Sequence, residues 1–182
     1  SSITDGTHFE LSASTTGGNL TGQTLSFWSN TGDYNIAIGS YALDATTSGA
    51  YQIAIGHNAL SSETNGSGGN VAIGYAALED QNTNNSNNTA IGFQAASNLN
   101  GGTDSVYLGF NAGGTGVITG NNNVAIGATA GKALVAGLSN VLIGKAAGLN
   151  ITAGVQNIAI GHAALDAANT AGGGSDGGSE NY

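Results

Sequence analysis

Apolar and polar positions along this chain alternate in short bursts, and the bursts return at a fixed interval. The segments Asn35–Leu43 (NIAIGSYAL), Gln52–Leu60 (QIAIGHNAL), Asn70–Leu78 (NVAIGYAAL) and Asn88–Ala96 (NTAIGFQAA) share one pattern. Ser105–Gly113 (SVYLGFNAG), Asn123–Gly131 (NVAIGATAG), Asn140–Gly148 (NVLIGKAAG) and Asn157–Leu165 (NIAIGHAAL) continue it. Their starts lie 17, 18, 18, 17, 18, 17 and 17 residues apart. A near-constant period of this kind marks a solenoid, in which each repeat is one coil that buries its apolar face only by stacking on its neighbours.

Within each unit the apolar period is two. One column holds Ile36, Ile53, Val71, Thr89, Val106, Val124, Val141 and Ile158, and the next holds Ile38, Ile55, Ile73, Ile91, Leu108, Ile126, Ile143 and Ile160. Alternate residues of a strand share a face, and β-branched residues favour that conformation. These two columns are therefore expected to point inward. A glycine follows in every unit, from Gly39 to Gly161, suited to a bend or a positive φ. Three residues later comes an alanine, from Ala42 to Ala164, implying close approach of other backbone. Each coil thus reads as strand, glycine turn, second short strand and polar loop. A helical repeat is excluded by the period, by the abundance of glycine and by the scarcity of Glu, Lys and Arg. The fold class expected is an all-β, parallel β-solenoid of about eight coils over residues 35–170. Residues 1–34 are read as an N-terminal cap or lead-in segment, and 171–182 as a Gly/Ser-rich tail or linker.

The residue between the two aliphatic columns is Ala37, Ala54, Ala72, Ala90, Tyr107, Ala125, Leu142 or Ala159. On an outward face this small, uncharged stripe would be an oligomer contact. Ala37, Ala54, Ala72, Ala90, Ala125 and Ala159 are accordingly the expected interface of parallel chains under cyclic symmetry. The column opening each unit is Asn in six of eight cases, with Gln52 and Ser105 in the others, and is expected to form an amide ladder along the rod.

Composition sharpens the picture. The 182 residues include 32 glycines and no proline, cysteine or methionine, and only 7% are charged. The net charge is −9, with no arginine and only Lys132 and Lys145 as basic side chains. A phosphate-gripping protein needs a basic stripe, so nucleic acid is not an expected partner. Anionic membrane surfaces are disfavoured on the same ground. No apolar run reaches the roughly 18 residues of a membrane span, so no membrane insertion is expected in this segment. The opening Ser1-Ser2 suggests a piece of something longer.

On these motifs the chain resembles the head repeats of YadA-like trimeric autotransporter adhesins. It is also similar to the Asn-Thr-Ala-Ile-Gly-Tyr-Gln-Ala-Leu arrays of bacteriophage and injection-system tail fibres, which Asn88–Ala96 nearly reproduces. The resemblance covers residues 35–165. It implies a left-handed parallel β-roll, a homotrimer about a common axis, and an extracellular place on a virion, an injection machine or a cell surface. It further implies attachment to a host glycan or protein receptor. The coils are longer than those of the adhesin heads, which points towards a tail fibre. A structural spacer carrying a separate receptor-binding tip, and a glycan-cleaving fibre, are the alternatives.

Candidate chemistry is sparse. The position after each glycine is Ser40, His57, Tyr75, Phe93, Phe110, Ala128, Lys145 or His162. Tyr75, Phe93 and Phe110 fall on successive coils and would stack about 5 Å apart. That column is either packing or a platform for sugar rings, and Trp28 is a second candidate for ring stacking. His57 and His162 are six coils apart and His8 stands alone, so no metal site is expected. Gly172–Gly178 (GGGSDGG) occurs once and lacks the period of a calcium-binding repeat. Glycoside hydrolysis needs two carboxylates facing each other across about 5–9.5 Å. Glu63 and Asp80 are the nearest candidates and read as a solvated loop edge. No nucleophile–base arrangement is evident, and threonines follow no flat ice-binding array. The expectation is a non-enzymatic chain without cofactor.

Overall fold

The computed structural model describes residues 34–46, 48–63, 68–80, 85–114 and 116–166. Among the described residues eight three-residue strands recur: β1 (Ile36–Ile38), β2 (Ile53–Ile55), β3 (Val71–Ile73), β4 (Thr89–Ile91), β5 (Val106–Leu108), β6 (Val124–Ile126), β7 (Val141–Ile143) and β8 (Ile158–Ile160). They form one parallel sheet in chain order, each strand paired with the next in the register the repeat dictates. Eight strands delimit seven complete turns of a β-solenoid. With strands about 4.8 Å apart, the sheet is roughly 34 Å long. The expectations for residues 1–33, including Trp28, and for the tail at 171–182 fall outside the described residues.

Hydrogen bonding between coils does not stop at the strands. The Gly56 N–H donates to the Ile38 carbonyl (2.7 Å), Asn58 to Ser40 (3.0 Å), and Leu43 to Ala59 in the opposite direction (3.0 Å). The same set recurs in the later coils, as in Gly92 to Ile73 and Gln94 to Tyr75 (both 2.8 Å). Further round the coil, single parallel bridges join Leu99 to Ile118 and Leu138 to Val155. Backbone polar groups are thereby satisfied by stacking even where the chain turns.

The second strand expected after each glycine is a turn. Residues two and four places beyond the glycine adopt left-handed backbone, as at Tyr41 (φ 60°), Leu43 (φ 54°), Gln94 (φ 52°) and Ala96 (φ 46°). Alternating left-handed residues cannot continue a strand, and each non-glycine residue there carries a conformational cost. The coil-to-coil bonds just described hold them in place.

The phase of the strands is the reverse of the sequence expectation. The alanine column points into the coil: Ala54, Ala72, Ala90, Ala125 and Ala159 are fully buried within one chain, and Ala37, on the first coil, packs against the same core. These residues cannot form an interface with another chain. The Ile/Val columns point outward: they are exposed in the terminal coils, Ile36 at 43% and Ile160 at 62%, and mostly half-buried in the coils between. A shift of one residue exchanges the two faces of a strand, and coil width decided the phase. A single coil of 17 or 18 residues encloses so little space that alanine, the turn residues and one loop residue fill it.

That narrow interior is filled by exchange between positions. Coils with Leu43, Leu60 or Leu78 in the turn have alanine on the strand. Where Tyr107 replaces the strand alanine, the turn position is Gly113, and a Cβ there would sit 2.2 Å from the tyrosine ring. Leu142 is matched by Gly148, whose added Cβ would lie 2.8 Å from the leucine methyls. Leu99, Ile118, Leu134 and Ile151 complete the core from the loops of the later coils. In these two coils the large side chain has moved from the turn to the strand, and the glycine makes room for it, as close packing requires.

Tyr107 is fully enclosed and its hydroxyl makes no well-formed hydrogen bond. Burial pushes its pKa up to about 12, an effect the nearby Ser105 and Asn123 only partly offset. The folded protein therefore holds this proton through a pH range in which the unfolded chain, titrating near 10, has lost it. The associated stability is fully present below pH 10 and is lost as pH rises towards 12, by roughly 2–3 kcal/mol in all. Tyr107→Phe is expected to match the wild type within about 1 kcal/mol at pH 7, since no good hydrogen bond is lost. It should be the more alkali-resistant of the two, and urea titrations at pH 7 and pH 11 check both statements.

Candidate functional site

Two surface features combine exposure with regularity. The first is the outward face of the sheet. Fifteen of its sixteen positions are Ile, Val or Leu, Thr89 is the other, and none is charged. Exposed apolar strands running the length of a sheet are unusual on a surface that meets only water.

The second is the column that follows the glycine bend. His57, Tyr75, Phe93 and Phe110 stack with ring centroids 5.4, 4.9 and 5.6 Å apart and interplanar angles of 8°, 12° and 18°. Tyr41 closes the N-terminal end edge-on against His57 at 5.6 Å. The rings are about half exposed, Tyr75 and Phe93 each at 46%. Their faces are turned to one another, however, and only their edges meet solvent. A sugar stacks on a face, so Tyr75 and Phe93 serve the ladder itself. The C-terminal face of Phe110 is different, because the next coil carries Ala128. A separate pair, Tyr34 and Tyr51, stacks at 5.1 Å in the column preceding the opening amides.

The opening amides are buried from Gln52 to Asn140 and do more than stack. Asn88 accepts from the Ser105 N–H (3.0 Å), donates to the Gly102 carbonyl of its own coil (2.9 Å), and donates its own N–H to Asn70 Oδ1 (2.9 Å). The pattern repeats at Asn123 and Asn140, whose amides donate to Gly137 and Gly154 (both 2.7 Å). Each amide closes its own loop and hooks the next coil. Amide-to-amide bonds also occur, from Asn140 to Asn123 (3.0 Å) and from Asn157 to Asn140 (2.9 Å).

Among the acids, Glu63 corrects the expectation of a solvated loop edge. It is buried at 1% exposure, accepts from Thr46 Oγ1 (3.3 Å), and accepts from the Gln52 amide. Gln52 in turn receives the Asn70 amide (3.3 Å), giving a polar thread through the interior of the early coils. Asp80 is exposed on the surface, so the two are not a facing catalytic pair. Glu79 accepts from Asn58 Nδ2 (2.7 Å). Asp104, fully exposed, is held below the usual carboxylate range by hydrogen bonds from Thr103 and Asn87. Among the described residues no three His, Asp or Glu side chains gather as a metal site would require. Sequence reasoning missed Glu63 because its neighbours in the loop are all polar. The signal lay in alignment, since Thr46, Glu63 and Leu99 each fall seven residues after the strand glycine.

Comparison with protein-family models, with curated proteins and with solved structures gave no match.

Proposed function

We propose that the chain is a segment of a homotrimeric, extracellular fibre, a structural and adhesive element that reaches from a virion, injection machine or cell surface towards a host receptor. The observation that carries this reading is the outward face of the sheet. Its aliphatic columns run the full length of the solenoid without one charged residue. A second copy of the same rod, parallel and in register, offers a surface with the same repeat and the same chemistry. Burying such a face stabilises an assembly by about 25 cal/mol per Å² of apolar surface removed from water. Cyclic symmetry closes the set, and three is the number that the resemblance to adhesin heads and tail fibres implies. The interface thus belongs to Ile53, Ile55, Val71, Ile73, Ile91, Val124, Ile126 and their column mates.

The reading is non-enzymatic. Attachment falls to features off the sheet face: the loops, the aromatic column and whatever the full fibre carries at its tip. The test is molar mass in solution by light scattering over a wide dilution series. The wild type is expected to hold a trimer mass throughout, and the double variant Ile73→Lys/Ile91→Lys, at positions that point out of the coil, is expected to run as a folded monomer. A wild type that is monomeric at every concentration overturns the proposal.

A further inference from the structure

The aromatic column stops at Phe110, and the stop leaves a ring-sized notch. Each earlier step of the column places one flat side chain against the next at 4.9–5.6 Å. The coil after Phe110 presents Ala128, and the coil after that presents Lys145. The backbone does not shift to close the gap. The Thr129 N–H donates to the Phe110 carbonyl (2.8 Å) and Ala146 donates to the Ala128 carbonyl (2.9 Å), the same bonds that hold the stacked coils. Two coil steps, about 9.6 Å, therefore separate Phe110 from Lys145 at this column. That is the space one intercalated ring needs at the spacing the ladder itself uses.

The walls define what would enter. Phe110 is 52% exposed, and among the described residues no ring covers its C-terminal face. An aromatic face is electron-rich and attracts the weakly positive C–H groups of a saturated ring. The floor is a methyl group. The far wall is Lys145, an exposed side chain with no ion pair among the described residues and one of only two lysines in a chain of net charge −9. His162 follows it in the same column. An isolated cation beside a bare ring face, on an otherwise acidic protein, selects an anionic group on the ring it faces.

We propose that the notch formed by Phe110, Ala128 and Lys145 binds an acidic saccharide, one pyranose ring stacking on Phe110 while its carboxylate pairs with Lys145. This rests on the reading of the chain as an attachment fibre and gives that fibre a ligand class. The site lies beyond the glycine bend, off the sheet face assigned to the trimer, so three copies are displayed around each fibre. Repetition around the axis would raise the avidity of a weak single site for a polymeric glycan.

The test is NMR titration of the intact chain with methyl β-glucuronide, and with methyl β-glucoside as its neutral counterpart. The glucuronide is expected to shift the Phe110 ring and Ala128 methyl resonances with millimolar affinity, and the glucoside to bind several-fold more weakly. Lys145→Gln should reduce the glucuronide to the level of the glucoside, because it removes the charge and keeps the reach. Ala128→Phe should abolish both by filling the notch and extending the ladder, and its unchanged molar mass and melting temperature would show that the fold and assembly persist. Phe110 resonances that stay fixed up to high ligand concentration overturn the proposal, as does binding that survives Ala128→Phe. Preference for a planar aromatic carboxylate such as benzoate over the glucuronide would overturn the saccharide assignment. None of these outcomes depends on the oligomeric mass that tests the fibre reading, so the two can fail separately.

Discussion

Replacing Gly92 with alanine is expected to lower the stability of the solenoid by about 3–5 kcal/mol, the range reached when strain and overlap act together. Gly92 lies at φ +138°, where L-residues are rarely found, so any side chain adds strain of its own. Its added Cβ would stand 2.4 Å from the Gly109 carbonyl oxygen and 2.7 Å from the carbon. Neither atom can move away, because the two coils are joined on both sides of the bend, by Gly109 to Ile91 (2.8 Å) and by Asn111 to Phe93 (3.0 Å). Gly161 supplies the control. It has nearly the same backbone conformation (φ +128°), yet among the described residues nothing lies within 4 Å of the Cβ it would gain. Gly161→Ala should carry the strain alone, about 1–2 kcal/mol. Stability in a solenoid is a sum over neighbouring coils, so the damage from Gly92→Ala should concentrate locally. Amide hydrogen exchange is expected to speed up first in β4 and β5 while β7 keeps its protection. Equal losses from the two substitutions would mean that coil spacing is looser than the stacked glycines indicate.

The repeat made the architecture readable before any coordinates. A period of 17 or 18, an apolar period of two and a glycine at a fixed offset leave a parallel β-solenoid as the consistent solution, and the strands fall on the predicted triplets. What the pattern could not supply was the phase. Alternation says that Ala90 and Ile91 face opposite ways but not which of them faces in, and the usual rule that the larger aliphatic residue is buried gave the wrong answer. The deciding quantity is the width of the coil, a property of the whole turn and not of any residue. The opening amides held a clue: Asn88 is fully buried and shares the face of Ala90. Had the amides been assigned to the interior, where their bonds to backbone need shelter from water, the aliphatic columns would have been placed outside. The aromatic column was visible as a string of positions, but its geometry was not. That Tyr75 and Phe93 face each other, leaving Phe110 with a bare face above Ala128, depends on side-chain orientation. Tyr107 was legible only as an exception, and its partner Gly113 becomes intelligible once both are seen in one cross-section.

Asn88→Leu is expected to cost about 3–4 kcal/mol, close to the effect of the glycine substitution, and the reason is satisfaction of backbone and not loss of packing. Leucine branches at the same carbon as asparagine and is the larger of the two, so no cavity opens. It leaves the buried Ser105 N–H without its acceptor and the Gly102 carbonyl without its donor, two groups that Asn88 serves at 3.0 and 2.9 Å. Each buried polar group left without a partner costs about 1–3 kcal/mol. The column itself contains the milder alternative. Ser105 occupies the same position in the next coil, where its Oγ accepts from the Asn123 N–H (3.0 Å) and donates to the Thr103 carbonyl (3.0 Å). Asn88→Ser should therefore preserve the hook to the next coil and lose only the tie to the far end of its own loop. The expected order of stability is wild type, then Asn88→Ser, then Asn88→Leu. It is measured as urea midpoints at constant m, so that a shift reports the folded state and not a change in denatured compactness. If Asn88→Leu were as stable as Asn88→Ser, water entering the coil would be serving the orphaned groups, and the opening amides would be spacers along the rod and not the ties that close each turn.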